Sequence, residues 1–328
     1  MKVAVFNTKP FDRQFLEQAN ADFAHDLSFF EPRLTAKTAP LATGFEAVCA
    51  FVNDQVDNDA IAVLAEQGVR CIALRCSGYD NVDLDSAKAL GIDVVRVPSY
   101  SPYSIAEHAV GLILALNRKL HKAYNRTRDD NFSLQGLLGF DLHGKTVGIV
   151  GTGNIGECFA RIMAGFGCHL LAYDVHESPA CKDLGVDYVP FEQLLARSDI
   201  VSLHCPLLPS TQHIINEVSL RHLKPGAMLI NTSRGGLIHT RAAIDAIKDG
   251  TIGYLGLDVY EGEANVFFED LSDAIIPDET FQLLQSFSNV VITPHQAFFT
   301  RNALEAIAQT TLSNLTTIEQ GKPCPNRV

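Results

Sequence analysis

An α/β protein made of two parallel-sheet units is the architecture this sequence predicts, and three observations predict it. Short apolar, strand-like runs alternate with helical or loop segments along almost the whole chain. The glycine run Gly151-Thr152-Gly153-Asn154-Ile155-Gly156 lies at mid-chain, directly behind one of those runs and ahead of a helical pattern. The 328 residues are enough for two domains, each with its own core.

Taken in order, strand-like stretches at Val3 to Phe6, Ala47 to Val52, Cys71 to Arg75 and Val94 to Val97 read as a small parallel α/β unit of flavodoxin-like type. Ser101-Pro102 then supplies an N-cap with proline at the first helical position. Apolar residues recur through Ile105, Val110, Leu112 and Leu116, which predicts one long helix running toward Arg128. Asp129 to Gly144 is loop-like. Six strands follow, at Thr146 to Val150, His169 to Tyr173, Ile200 to His204, Ala227 to Thr232, Tyr254 to Val259 and Asn289 to Thr293. The amphipathic segment Arg301 to Gln320 begins where those strands are spent and is expected to cross back to the first unit. The smaller unit is therefore expected to be discontinuous, residues 1–100 with 299–328, around a unit of residues 101–298.

The glycine run is a weak motif alone and a strong one in this setting. Thr146 to Val150 precedes it as a strand, a helix pattern follows as far as Gly167, and the next strand, His169 to Tyr173, ends in Asp174. That is the dinucleotide fingerprint of a doubly wound Rossmann sheet. Gly151 allows the tight turn, Gly153 lets the backbone approach a pyrophosphate, and Gly156 lets helix and strand pack closely, while the helix N-terminus attracts phosphate. Asp174 would take the ribose hydroxyls. A carboxylate there repels the extra phosphate of NADP and no arginine follows closely, so the expected cofactor is NAD(H).

Bulk properties exclude several classes. A net charge of -12 with scattered Lys and Arg argues against nucleic acid. The longest apolar run, Ala109 to Leu116, is too short to cross a bilayer, and Met1 to Phe6 begins as a strand rather than a leader, so a cytoplasmic protein is expected. The eight cysteines form no C-x-x-C pair and the eleven histidines no H-E-x-x-H, which predicts reduced thiols and no metal. There is no Y-x-x-x-K of the short-chain dehydrogenases, and an L-specific lactate dehydrogenase would carry its fingerprint at the start of the chain.

Ligands of an open α/β sheet bind beyond the carboxyl ends of its strands. Three ionisable residues stand just past such ends: Arg234 after Ile230-Asn231-Thr232, Glu263 after Leu257 to Tyr260, and His295 after Val290 to Pro294. Hydride transfer between a nicotinamide and a 2-oxo acid needs a cation for the carboxylate, a proton donor for the developing alkoxide, and a group that keeps the donor charged. Arg234 can grip a carboxylate with its planar fork. His295 can give and retake a proton, with Glu263 as its orienting partner. Singly, each has a bland alternative, a surface ion pair for the arginine or a satisfied core residue for the histidine; their shared position favours catalysis.

At these residues the sequence resembles the D-specific 2-hydroxyacid dehydrogenases, and within them the bacterial fermentative lactate branch, over nearly its full length. The resemblance is carried by Ala73 to Asp83, by Val97-Pro98-Ser99-Tyr100-Ser101-Pro102 with Ile105-Ala106-Glu107-His108, and by Asn231-Thr232-Ser233-Arg234-Gly235. The lactate branch is indicated by Asn131 to Leu134 with Gly139-Phe140, by Asp258 to Glu263, and by Phe267 to Asp270. The resemblance implies NADH-dependent reduction of pyruvate to D-lactate, with His295 as proton donor, Glu263 as its partner and Arg234 as carboxylate clamp. It also implies that Ser77, Gly78 and Tyr100 hold the substrate from the first unit and that Phe298 or Phe299 walls its pocket. For the cofactor it implies Asn154 and Ile155 at the pyrophosphate, Asp174 at the ribose, Cys205 and Pro206 near adenine, Thr211 as a further nucleotide contact, and Thr232, Ser233 and Asp258 near the nicotinamide. Glycine in Glu261-Gly262-Glu263 is expected to give the backbone extra freedom beside the acid-base pair. A homo-oligomer, dimer or tetramer, is implied, with Tyr103 to Phe140 as a contact arm. Two alternatives stay open: action on a bulkier 2-oxo acid, hydroxypyruvate or glyoxylate, and a non-catalytic NAD(H)-sensing protein of the same fold.

Overall fold

The computed structural model describes residues 1–328 apart from the side chain of Asn265. The chain divides into two compact units, Met1–Ser101 with Phe299–Val328, and Pro102–Phe298.

The first unit contains β1 (Lys2–Val5), α1 (Pro10–Asn20), β2 (Asp26–Phe29), β3 (Ala47–Ala50), α2 (Asn58–Glu66), β4 (Cys71–Leu74), α3 (Leu84–Ala89) and β5 (Asp93–Val95). Its five strands are all parallel, in the flavodoxin-like order β2-β1-β3-β4-β5. Alternation along each strand divides the side chains between two cores. Ala4, Val48, Ala50, Ile72 and Leu74 pack toward α2 and α3 residues such as Ile61, Leu64 and Ala87, whereas Val3, Val5, Cys49 and Ala73 face the other way. β2 is an edge strand that the sequence does not announce, because nothing in its short Asp-Leu-Ser-Phe run is fully buried.

One buried cation interrupts this apolar interior. The Arg75 side chain follows β4 at 2 % exposure and is neutralised by Asp12 in the first turn of α1, Nε to Oδ1 at 3.0 Å. It also donates to the Asn7 carbonyl at 2.8 Å and lies 4.7 Å above the Phe51 ring. A buried charge needs both the pairing and the hydrogen bonds to persist.

The second unit begins with α4 (Pro102–Arg118) and α5 (Leu120–Arg128). The single long helix expected there is broken at Lys119, which adopts a left-handed conformation at φ 51°. There follow β6 (Thr146–Val150), α6 (Asn154–Gly165), β7 (His169–Tyr173), α7 (Pro179–Asp183), β8 (Asp187–Tyr188), α8 (Phe191–Arg197), β9 (Ile200–Leu203), β10 (Ala227–Asn231), α9 (Thr240–Lys248), β11 (Ile252–Leu257), α10 (Glu279–Ser286) and β12 (Val290–Ile292). The sheet is parallel in the order β12-β11-β10-β9-β6-β7-β8, one strand more than expected because the two-residue edge strand β8 is too short to show a pattern. α4 and α6 cover one face over Val147, Ile149, Ala172 and Ile230, and residues of α8, α9 and α10 cover the other over Val201, Leu203, Leu229 and Leu255. The strand order reverses between β6 and β9, the switch point at which a doubly wound sheet opens a crevice.

The last helix, α11 (Arg301–Glu319), packs on the first unit. Thr300 caps it by accepting from the Ala303 amide at 3.3 Å. Its buried stripe, including Ala308, Leu312, Leu315 and Ile318, closes the core over Val3, Val5, Cys49 and Ala73. All eight cysteines are free thiols, and burial pushes Cys49 and Cys205 up to about 11 and Cys71 further still. Among the described residues no helix is long and apolar enough to cross a membrane, and no group of three or more His, Cys, Asp or Glu side chains could hold a metal ion.

Candidate active site

The fingerprint loop lies at the switch point. Gly151 donates to the Tyr173 carbonyl at 2.9 Å, and His204 donates to the Val150 carbonyl at 2.7 Å, so the loop is gripped by the strands on both sides. The three glycines differ in what they make possible. Gly151 sits at φ +96°, and a methyl there would stand 2.5 Å from the Cys205 nitrogen. A methyl on Gly156 would stand 2.0 Å from the Gly151 oxygen. At Gly153, which caps α6, a methyl would meet nothing within 4 Å. Two of the glycines thus serve the protein's own packing, while the third leaves open space beside the helix N-terminus, where the amides of the Asn154 and Ile155 turn begin. That space suits a pyrophosphate.

Asp174 ends β7 against this loop. It accepts from the Thr152 amide at 2.6 Å and from the His176 amide at 3.0 Å. Burial works to raise its pKa, but these hydrogen bonds outweigh burial and hold the carboxyl below its usual range, so it remains an anion. Beneath the loop, His204 packs 4.8 Å from the Phe159 ring, and burial pushes its pKa down to about 3. It is a neutral packing residue. Cys205 is buried, Pro206 exposed, and the Thr211 hydroxyl is spent inside its own turn on the Pro206 carbonyl at 2.6 Å. The Ser233 hydroxyl donates to the Cys205 carbonyl at 2.7 Å. Thr232 differs from these: its hydroxyl is buried without a hydrogen-bond partner. A buried orphan is costly unless a ligand completes it, so the Thr232 hydroxyl and the open face of Gly153 both fit a bound dinucleotide.

The loops after β10, β11 and β12 carry the three ionisable residues. Asn231 organises the first of them, donating to the Arg234 carbonyl at 2.8 Å and accepting from the Ser233 amide at 3.0 Å. Arg234 follows in extended conformation, with Nη1 2.8 Å from the Ser233 carbonyl. After β11, Glu263 accepts from the Tyr260 amide through Oε2 at 2.8 Å and meets His295 Nδ1 through Oε1 at 2.8 Å. The structure therefore brings Glu263 and His295 together. A proton on Nδ1 bound to the carboxylate leaves Nε2 as the ring atom for a substrate. The Arg234 loop joins this pair through backbone contact, because a methyl on Gly235 would stand 2.2 Å from the Tyr260 carbonyl carbon.

His295 occupies a left-handed conformation at φ 53°, rare for a residue with a side chain. Its amide donates to the Asp258 carbonyl at 2.8 Å and to the Thr293 carbonyl at 2.9 Å. The fully buried Asp258 carboxylate accepts from Thr293 Oγ1 at 2.5 Å, the Gln296 amide at 2.9 Å and the Ala297 amide at 2.8 Å. Its role here is thus to hold the turn that presents His295. His108 of α4 supports the same anchor, with Nε2 3.0 Å from Thr293 Oγ1 and 3.3 Å from Asp258 Oδ1. The sequence marks His108 only as part of a family stretch; nothing local signals a partner 185 residues away.

Gly262 corrects an expectation. Its φ is an ordinary -98°, so no special backbone freedom is used. It is required for space, since a methyl would stand 2.8 Å from the Tyr260 ring and 3.0 Å from the Asp278 carboxylate.

Ser77, Gly78, Tyr100 and Phe299 belong to the first unit and Phe298 to the second. Ser77 donates through Oγ to the Pro98 carbonyl at 3.2 Å and accepts at its own carbonyl from Arg96 at 2.7 Å. Arg96 also lies over the Tyr79 ring at 5.1 Å. This arginine braces the Ser77-Gly78 turn, a support the sequence does not reveal. Phe299 meets Phe11 edge-on at 4.8 Å, and Phe298 is buried.

Comparisons with known proteins point to one family. Residues 110–297 match the family described as D-isomer specific 2-hydroxyacid dehydrogenase, NAD binding domain. The chain is 52% identical over 328 residues to the D-lactate dehydrogenase of Escherichia coli, covering 100% of both proteins. The apo-structure of D-lactate dehydrogenase from Escherichia coli superposes with a TM-score of 0.92 at 50% identity, covering 100% of each chain. The NAD-complexed D-isomer specific 2-hydroxyacid dehydrogenase of Lactobacillus delbrueckii ssp. bulgaricus superposes with a TM-score of 0.81 at 33% identity, again over 100% of each chain.

Proposed function

The chain belongs to the D-isomer specific 2-hydroxyacid dehydrogenase family, and we propose that it reduces pyruvate to D-lactate with NADH. The observation that carries this reading is the 2.8 Å pairing of His295 with Glu263 beside the Arg234 loop, on the unit that contains the dinucleotide fingerprint.

NADH, when bound, supplies the hydride that reduces the carbonyl carbon of pyruvate. Arg234 holds the substrate carboxylate with its guanidinium fork and polarises the adjacent carbonyl. His295 donates the proton on Nε2 to the carbonyl oxygen as the carbon-oxygen π electrons move onto it. Glu263 keeps the hydrogen on Nδ1 in place and balances the imidazolium charge before transfer. The neutral ring then takes its next proton from solvent. Ser77, Gly78 and Tyr100 complete the hold on the carboxylate, and Phe298 or Phe299 limits the size of the substrate side chain. Thr232, Ser233 and Asp258 would border the nicotinamide end of the bound cofactor, and Cys205, Pro206 and Thr211 its adenine end.

On this reading residues 102–298 form the NAD-binding domain, and residues 1–101 with 299–328 the substrate domain. The protein works as a cytoplasmic homo-oligomer. Exposed Leu120, Tyr124, Phe132, Leu134 and Leu138 on α5 and the segment after it supply an apolar surface for self-association.

The test is loss of NADH absorbance on adding pyruvate, with chiral analysis of the product. Formation of D-lactate supports the proposal. Tight NADH binding without turnover would instead identify a sensor, and faster turnover of hydroxypyruvate, glyoxylate or a bulkier 2-oxo acid would reassign the substrate.

A further inference from the structure

Glu261 stands two residues before Glu263 and takes no part in the His295 pair. Its carboxylate instead joins three strand-end segments. Oε1 lies 2.6 Å from Nε2 of His213, in the segment after β9. Oε2 accepts from the Thr240 hydroxyl at 2.9 Å and more weakly from its amide at 3.4 Å, where the loop after β10 enters α9. Glu261 itself follows β11.

The segment between these contacts is the one that carries Arg234. His213, held at φ 50°, donates through its amide to the Gly236 carbonyl at 2.8 Å, and Ile215 donates to the Leu237 carbonyl at 3.0 Å. On its other side Gly235 lies against the Tyr260-Glu261 peptide so closely that a methyl would stand 2.4 Å from the Glu261 nitrogen. The Arg234 turn is therefore clasped between two segments, and one side chain bridges its flanks.

We propose that Glu261 is a positioning residue for pyruvate reduction, locking the loop that carries Arg234 against the loop that carries Glu263 and so fixing the guanidinium relative to the imidazole. The inference rests on the dehydrogenase reading given above. Arg234 acts on the carboxylate and the His295 pair on the adjacent carbonyl of one small molecule, so their relative placement is what catalysis requires, and a displacement of about 1 Å in such a site costs on the order of 100-fold in rate. Burial of the Glu261 carboxyl works to raise its pKa, but the bonds from His213 and Thr240 outweigh it and hold the group below its usual range as an anion able to accept all of them. The other charged groups at this point are His239, whose ring lies 5.0 Å from that of His213, and Glu217, 2.7 Å from His239. With Glu261 and His213 each about one-third exposed, the ion pair adds little through charge alone, and geometry carries the effect.

Steady-state kinetics of Glu261→Ala and Glu261→Gln in the intact protein test this. Glu261→Ala is expected to lower kcat/KM for pyruvate about 100-fold, with kcat falling and KM rising together, while the NADH dissociation constant stays within about twofold. Glu261→Gln keeps an acceptor for Thr240 and should recover about tenfold of that loss. If Glu261 merely caps α9, both variants would show a lower melting temperature with unchanged kcat and KM, and the proposal fails. Should Glu261→Ala not fold, His213→Gln and Thr240→Ala each remove one partner; both must lower kcat/KM, and wild-type kinetics in both would overturn the inference. Absence of pyruvate reduction by the wild-type protein would sink the function proposed above, a result distinct from variants that match an active wild type.

Discussion

The fingerprint glycines allow protein stability and cofactor affinity to be separated by two one-methyl changes three residues apart. In Gly156→Ala the added carbon would lie 2.0 Å from the Gly151 oxygen, about 1.4 Å short of the roughly 3.4 Å of ordinary contact. Backbone cannot swing aside as a flexible side chain can, so α6 must shift from β6, and overpacking of this kind costs about 1–3 kcal/mol or more. In Gly153→Ala the same methyl meets nothing within 4 Å. The ligand-free protein should therefore change by no more than about 0.5 kcal/mol, the range of ordinary surface substitutions. The methyl would instead occupy space that a phosphate needs at the α6 N-terminus, and NADH affinity should fall at least about tenfold, equivalent to about 1.4 kcal/mol. Urea unfolding without ligand measures the first quantity, and NADH fluorescence titration the second. Equal destabilisation by the two variants, or wild-type NADH affinity in Gly153→Ala, would refute the division of labour among these glycines.

Three further outcomes are expected. His295→Ala should lower turnover by about 10²–10⁴ while NADH titrates normally, and stopped-flow binding beside steady-state rates checks this. Arg234→Lys retains positive charge but loses the fork, so pyruvate KM should rise by more than kcat falls in initial-rate assays. The Asp174 carboxyl is held below the usual carboxylate range by the Thr152 and His176 amides. Its contribution to stability is fully present above its unfolded value of about 3.9 and is lost as the pH falls through the lower folded value. Acid unfolding of Asp174→Asn should consequently depend less on pH in that window than the wild type does.

Which parts of this molecule could be read in advance follows from what a local pattern can record. Strands buried on both faces announce themselves as apolar runs: Thr146–Val150 and His169–Tyr173 fall where the residues place them, and the other interior strands differ by only a few residues at their ends. Two of the four edge strands, Asp26–Phe29 and Asp187–Tyr188, carry no such run, because neither contains a fully buried residue. Nothing in Asn117-Arg118-Lys119-Leu120 signals the left-handed Lys119 that divides α4 from α5, whose ammonium meets the Leu138 carbonyl and the Tyr254 ring, both distant in sequence. At the site, Arg234, Glu263 and His295 are legible as candidates because each lies three to six residues past a strand end. Their supports are not. His108 and Thr293 are 185 residues apart, His213 and Glu261 are 48 apart, and in each case neither residue carries a local sign of its partner. Of the two glutamates in Glu261-Gly262-Glu263, the sequence singles out Glu263 as the partner of His295, whereas the pairing of Glu261 with His213 shows only in the fold.

The buried, unreactive thiols have a practical consequence. At neutral pH Cys49, Cys71 and Cys205 hold essentially no thiolate, the form that reacts with maleimides and oxidants, and none of the eight native cysteines is exposed. With the half-buried Cys76, Cys158 and Cys168 replaced by serine, a single new cysteine on the surface of either unit should therefore take up a fluorophore selectively. Pairs of such labels, one on each unit, would let energy transfer follow any opening and closing during turnover without first stripping the interior of its sulfur.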